Sequence, residues 1–165
     1  MIDIFDLART QGFVEGRMPF GEMGRARTAL RDVSGSIGFR FDGRIDARGR
    51  PAGVLHLHGE LPLTCDRCGR PVSLPLERTV EFYFVTEEAD VAAHPVSVDE
   101  EPEPLLGSTQ FDLQALVEDE AILSIPLSPR HVECPVPDTD ADAVTRDGAP
   151  NPFAALQGLL HKNGR

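Results

Sequence analysis

Two cysteines stand three positions apart in Cys65-Asp66-Arg67-Cys68-Gly69-Arg70-Pro71, and the third and last, Cys134, follows His131 at i+3. A Cys-x-x-Cys pair can place two sulfurs on one ion without backbone strain, and tetrahedral zinc accepts three thiolates and one imidazole. Cys65, Cys68, His131 and Cys134 are therefore the candidate metal ligands, and zinc the candidate cofactor. Between Cys68 and His131 lie 62 residues, far more than in compact zinc fingers, so the second pair is the looser half of the signal. Two other readings stay open: a redox pair at Cys65 and Cys68, and thiols that only pack. A thioredoxin-like pair sits at a helix N-terminus after a parallel strand, whereas here strand patterns flank the cysteines and Pro71 follows.

The pattern around these residues shows what must position them. Val33, Gly35, Ile37, Phe39 and Phe41 alternate with polar or small residues, the period of a half-buried strand, and Asp42-Gly43 then reads as a turn. A second turn is read at Arg48-Gly49-Arg50-Pro51. Leu55, Leu57, Leu61 and Leu63 share one parity of a strand over 54–64, in which Gly59 and Pro62 suggest a bulge or an edge. A third strand is read over 72–85, interrupted around Pro75. Residues 65–70 then form the connection between two adjacent strands, the setting of a zinc knuckle, with Gly69 free to take positive φ.

Downstream, 87–108 reads as an acidic, proline-broken loop with little to bury. Asp112 is a helix N-cap candidate for a run of apolar residues at i, i+3 and i+4 that lasts to Ile125 and stops at Pro126. Its acids Glu118, Asp119 and Glu120 are expected on a solvated face. Residues 135–150 read as a flexible linker before a C-terminal docking segment that includes Phe153 and Leu156, and the first twenty residues fit a short helix or strand equally well. The expected fold is α+β in a single domain: an antiparallel sheet or partly closed barrel, one main packed helix and flexible acidic segments.

Composition narrows the function. The chain has no apolar run long enough for a membrane helix, and its acidic start, Met1-Ile2-Asp3-Ile4-Phe5-Asp6, lacks the charge pattern of a signal peptide. A cytoplasmic location without membrane contact is expected, where an odd number of cysteines stays reduced. The net charge of −11 is unevenly placed: residues 1–60 hold nine arginines against eight acids, and 81–120 hold twelve acids with no lysine or arginine. A binder of naked RNA carries a basic footprint, which the chain as a whole lacks. Arg25, Arg27, Arg31, Arg40, Arg44, Arg48 and Arg50 could line a phosphate-facing surface, or simply be solvated.

Three separated motifs carry a family resemblance. The run Gly59-Glu60-Leu61-Pro62-Leu63-Thr64-Cys65-Asp66-Arg67-Cys68, the segment from Phe111-Asp112-Leu113 through Val117-Glu118-Asp119-Glu120 to Pro129-Arg130-His131, and Asn151-Pro152-Phe153-Ala154 resemble the YceD family of bacterial large ribosomal RNA subunit accumulation proteins. The resemblance covers roughly 30–160 and only loosely the residues before it. It implies a non-enzymatic role in synthesis, processing or stability of 23S rRNA, and supplies no site residues. Two routes to that role follow. Precursor rRNA could be touched through Arg67 and Arg70 at the mouth of the cysteine turn, or a basic ribosomal protein could be held on the acidic 87–120 surface, which the charge distribution favours slightly. No small-molecule substrate is expected. The alternative is a metal hydrolase or thiol oxidoreductase using the Cys-x-x-Cys turn, and a closed Cys₃His shell argues against the hydrolase because it leaves no open coordination position.

Overall fold

The computed structural model describes residues 1–92 and 102–134; the expected linker at 135–150, the docking segment after it and the middle of the acidic stretch lie outside the described residues. Five strands form one open sheet in the order β1 (Phe13–Pro19), β2 (Ser36–Ile45), β3 (Pro51–Thr64), β4 (Pro71–Val85) and β5 (Glu103–Leu106). β1 to β4 pair as an antiparallel meander, and β5 joins β4 in parallel. With the helices α1 (Ile4–Thr10), α2 (Glu88–Ala92) and α3 (Leu113–Leu123), this is an α+β fold. No helix among the described residues is long and apolar enough to cross a membrane.

Side-chain alternation explains the sheet. In β3, Leu55, Leu57, Leu61 and Leu63 are buried, while His56, His58 and Glu60 point to the opposite, wetter face. The leucines join Ile37 and Phe41 of β2, Ile4 of α1 and Val117 of α3 in one apolar core. Phe20 and Met23, in and beside the short 3-10 turn Phe20–Glu22, enter the same core. Asp3 starts α1 by accepting the N–H groups of Phe5 and Asp6, and Asp112 caps α3 by accepting that of Ala115 at 3.1 Å.

Several expectations are corrected. Asp42-Gly43 is not a turn: β2 runs through it, and Gly43 is needed because a Cβ there would stand 2.4 Å from the Leu7 carbonyl of α1. The chain reverses at the second expected turn, around Asp46 to Arg50, where the Asp46 carboxylate accepts the N–H groups of Arg48 and Arg50. β4 is not interrupted at Pro75, which pairs with Glu60. The β3–β4 register also runs unbroken past Gly59 and Pro62, but β2 pairs with β3 only as far as His58. Beyond that point β3 has an open edge, and the Pro62 carbonyl accepts the Arg31 N–H at 2.8 Å.

The acids of α3 are corrected too. Glu118 and Glu120 are buried at 7% and 3% exposure, and Asp119 alone of the three is half-exposed, paired with Arg25. Glu118 accepts the N–H groups of Arg25 and Ala26, at 2.5 and 2.9 Å, which begin the 3-10 turn Ala26–Thr28. Glu120 accepts from the Arg78 guanidinium at 2.6 Å. The expected acidic loop carries α2 and β5 at its two ends. All these elements lie in the compact unit Met1–Val132; Glu133 and Cys134 open a second, Glu133–Arg165.

Candidate metal centre

The last rung of the β3–β4 ladder is Thr64 opposite Pro71. Beyond it the chain curls on itself: the Cys65 N–H donates to the Arg70 carbonyl at 2.9 Å, and the Gly69 N–H donates to the Cys65 carbonyl at 2.8 Å. Gly69 takes φ +70, as its place in the turn requires of a residue without Cβ. The turn brings Cys68 back towards Cys65, which is fully buried while Cys68 is half-buried.

The second pair arrives on the segment after α3. α3 ends at Leu123 with Ser124 as its cap, short of the Ile125 expected from the pattern, and the Pro129 carbonyl accepts the Asp66 N–H at 2.9 Å, fastening the segment to the turn. His131 Nε2 lies 2.9 Å from the Pro71 carbonyl, which can only accept, so this nitrogen carries the ring proton. Its other nitrogen, Nδ1, then presents a lone pair, and it stands 3.5 Å from Cys68 Sγ. A carbonyl that fixes the tautomer of a ligating histidine is the usual outer support of a metal site.

One ligand atom from each of Cys65, Cys68, His131 and Cys134 lies within 4.8 Å of all the others. Zinc bonds of about 2.3 Å to sulfur in a tetrahedron put neighbouring sulfurs roughly 3.8 Å apart, so small side-chain adjustments would close this group on an ion. The four residues are thus positioned to hold a metal, and the long sequence gap between the pairs is closed by the fold. The supporting carbonyls of Pro71 and Pro129 were not foreseeable from residue types, since every residue carries a carbonyl.

The arginines named from sequence separate. Arg67 and Arg70 are exposed on the turn itself. Arg25 instead binds Asp119 and Glu118, Arg40 binds Asp42 and Glu15, Arg44 binds Glu81, and Arg50 binds Asp46 while lying 3.6 Å above the Tyr83 ring. Those four are committed within the fold.

A family model described as large ribosomal RNA subunit accumulation protein YceD matches residues 54–160. The chain belongs to the YceD family. The match begins inside β3, later than the residue 30 expected from the motifs, and takes in both ligand pairs and α3 while leaving out α1, β1 and β2. YceD proteins are named for accumulation of large-subunit ribosomal RNA and not for a catalysed reaction, and the name specifies no cofactor. No solved structure matches the chain.

Proposed function

We propose that this chain is a non-enzymatic ribosome-biogenesis factor of the bacterial cytoplasm that supports accumulation of 23S rRNA, with a structural zinc ion on Cys65, Cys68, His131 and Cys134. The observation that carries the reading is the family match, which spans both ligand pairs. The donor chemistry supports zinc in particular: three soft thiolates and one imidazole whose Nδ1 is freed by the Pro71 carbonyl. With four protein ligands the shell is closed, so the ion's part is to tie the 65–70 turn to the segment after α3 rather than to activate water. Arg67 and Arg70, exposed on that turn, are the groups proposed to contact precursor 23S rRNA.

Deleting the gene should lower the ratio of 23S to 16S rRNA, with rescue by the wild-type chain but not by Cys68→Ser. A ratio indifferent to the deletion would overturn the reading. The second route, a basic ribosomal protein held on the acidic 87–120 surface, draws support from exposed Glu87, Glu88 and Asp90, although Glu118 and Glu120 are withdrawn from that surface. Pull-down with and without ribonuclease separates the two: ribosomal proteins that persist after ribonuclease favour the acidic route, and proteins lost together with the RNA favour direct contact.

A further inference from the structure

The arginines of the described residues divide by whether an acid already holds them. Arg9, Arg25, Arg40, Arg44, Arg50 and Arg78 each make an ion pair. Arg17, Arg27, Arg31, Arg67, Arg70 and Arg130 are exposed, and among the described residues no carboxylate lies within ion-pair distance of any of them.

Arg17 stands apart on β1; the other five come from three stretches of chain that meet at one end of the sheet. Arg67 and Arg70 lie on the turn. Arg130 follows Pro129, whose carbonyl accepts the Asp66 N–H, so it is delivered to the flank of the same turn, and its Nε donates only to Ser128 Oγ at 3.0 Å. Arg31 is fixed by its N–H to Pro62, three residues before Cys65, or roughly 10 Å along a strand. Arg27 precedes Arg31 by four residues, in the 3-10 turn Ala26–Thr28. Of the acids near this end, Asp32 accepts the Ser34 N–H and hydroxyl at 2.9 Å each and Glu60 accepts the Ser73 hydroxyl at 2.8 Å, while Asp66 is exposed on the turn and is outnumbered by the arginines around it.

An exposed guanidinium without an internal carboxylate is the group best shaped to take a phosphate in two parallel hydrogen bonds. We infer that Arg27, Arg31, Arg67, Arg70 and Arg130 form one surface that binds the phosphate backbone of RNA. The inference rests on the RNA-contact route proposed above and deepens it, since it adds three arginines from outside the turn and assigns the contact to backbone rather than to bases. Positive charge gathered at one end also explains how a chain of net charge −11 could dock on a polyanion, because the acid-rich α2 lies at a different part of the sheet, beyond β4.

The test is the salt dependence of binding of the full chain to a short fluorescent single-stranded RNA. Each phosphate contact contributes about −0.7 to the slope of log K against log salt, so five contacts predict roughly a hundredfold loss of affinity between about 50 and 200 mM salt. Arg31→Gln/Arg130→Gln, both outside the cysteine turn, should cut that loss to roughly twentyfold, because two contacts are gone. The matched control is Arg9→Gln/Arg44→Gln, at arginines that already hold acids, and it should keep the wild-type slope. Equal melting temperatures of all three proteins exclude misfolding as the cause.

An unchanged slope in Arg31→Gln/Arg130→Gln overturns the surface. So does failure of the wild type to bind RNA, or equal competition by polyglutamate, which would make the patch a reader of acidic protein. None of these readouts consults the cellular 23S to 16S ratio, so the surface and the proposed function fail separately.

Discussion

α3 and the segment that follows it are fastened by different physics. On the helix itself, Glu118 and Glu120 are buried and reach outward to the Arg25 and Ala26 N–H groups and to Arg78, while Val117 and Leu113 of the same helix sit in the core. On the segment beyond it, Leu127 and Val132 are fully exposed, and fastening falls to the Asp66 N–H on Pro129, the His131 ring and the sulfur-rich donor group. Where apolar burial already supplies adhesion, polar groups set register. Where it is missing, a ligand set must supply the adhesion itself.

The largest expected effect breaks the second region. If zinc occupies the four-residue group, Cys68→Ser should release it and lower stability by about 3 kcal/mol or more, because a metal that binds only the folded chain adds its binding free energy to folding. Thermal melts with and without chelator are the measurement. The wild type should lose melting temperature on chelation and Cys68→Ser should not respond further; a variant that melts like the wild type in both conditions would refute the zinc assignment.

The first region yields the next effect. Arg78→Met leaves the Glu120 carboxylate, 4% exposed on its side chain, without its cation, and should cost roughly 2–3 kcal/mol, less than a fully buried pair because Arg78 is 35% exposed. Arg78→Met/Glu120→Leu should recover most of that loss in a denaturant titration, since the stranded charge is gone. No recovery in the double variant would mean that Arg78 acts by packing its stem and not by its charge.

Much of this contrast was legible beforehand, for reasons that differ by residue. The Cys65–Cys68 turn could be read because thiol spacing is chemically specific and the strand patterns on either side forced it into a connection. Gly69 and the Asp112 cap followed from local geometry that needs no knowledge of the rest of the fold. Gly43 misled because glycine serves turns and close approaches alike, and only the position of α1 decides between them. Glu118 and Glu120 misled because a carboxylate on an apolar stripe reads as solvated until its donors are known, and those donors lie at Arg25, Ala26 and Arg78, far away in sequence. The division of the arginines into held and unheld was hidden for the same reason, since ion pairs such as Arg44 with Glu81 join different strands.

The smallest effect sharpens the comparison by titration. Burial alone would raise the Glu118 carboxyl, but the N–H groups of Ala26 and Arg25, with the Arg25 charge, outweigh it and hold the group below its ordinary range. A depressed folded value means that the unfolded chain takes up the proton first. The stability contributed by this carboxylate is therefore complete above about pH 4.3 and is lost as pH falls through the lowered folded value. Glu118→Gln keeps an acceptor for one N–H but removes the charge, so it should cost about 1–2 kcal/mol near neutrality. The gap between wild type and Glu118→Gln, measured by denaturant titration at a series of pH values, should hold steady down to the unfolded value and close below it. A gap that persists undiminished in acid would show that the side chain holds the 26–28 turn by shape and not by charge; a zinc-held segment should be blind to this substitution, with chelation costing Glu118→Gln as much as it costs the wild type.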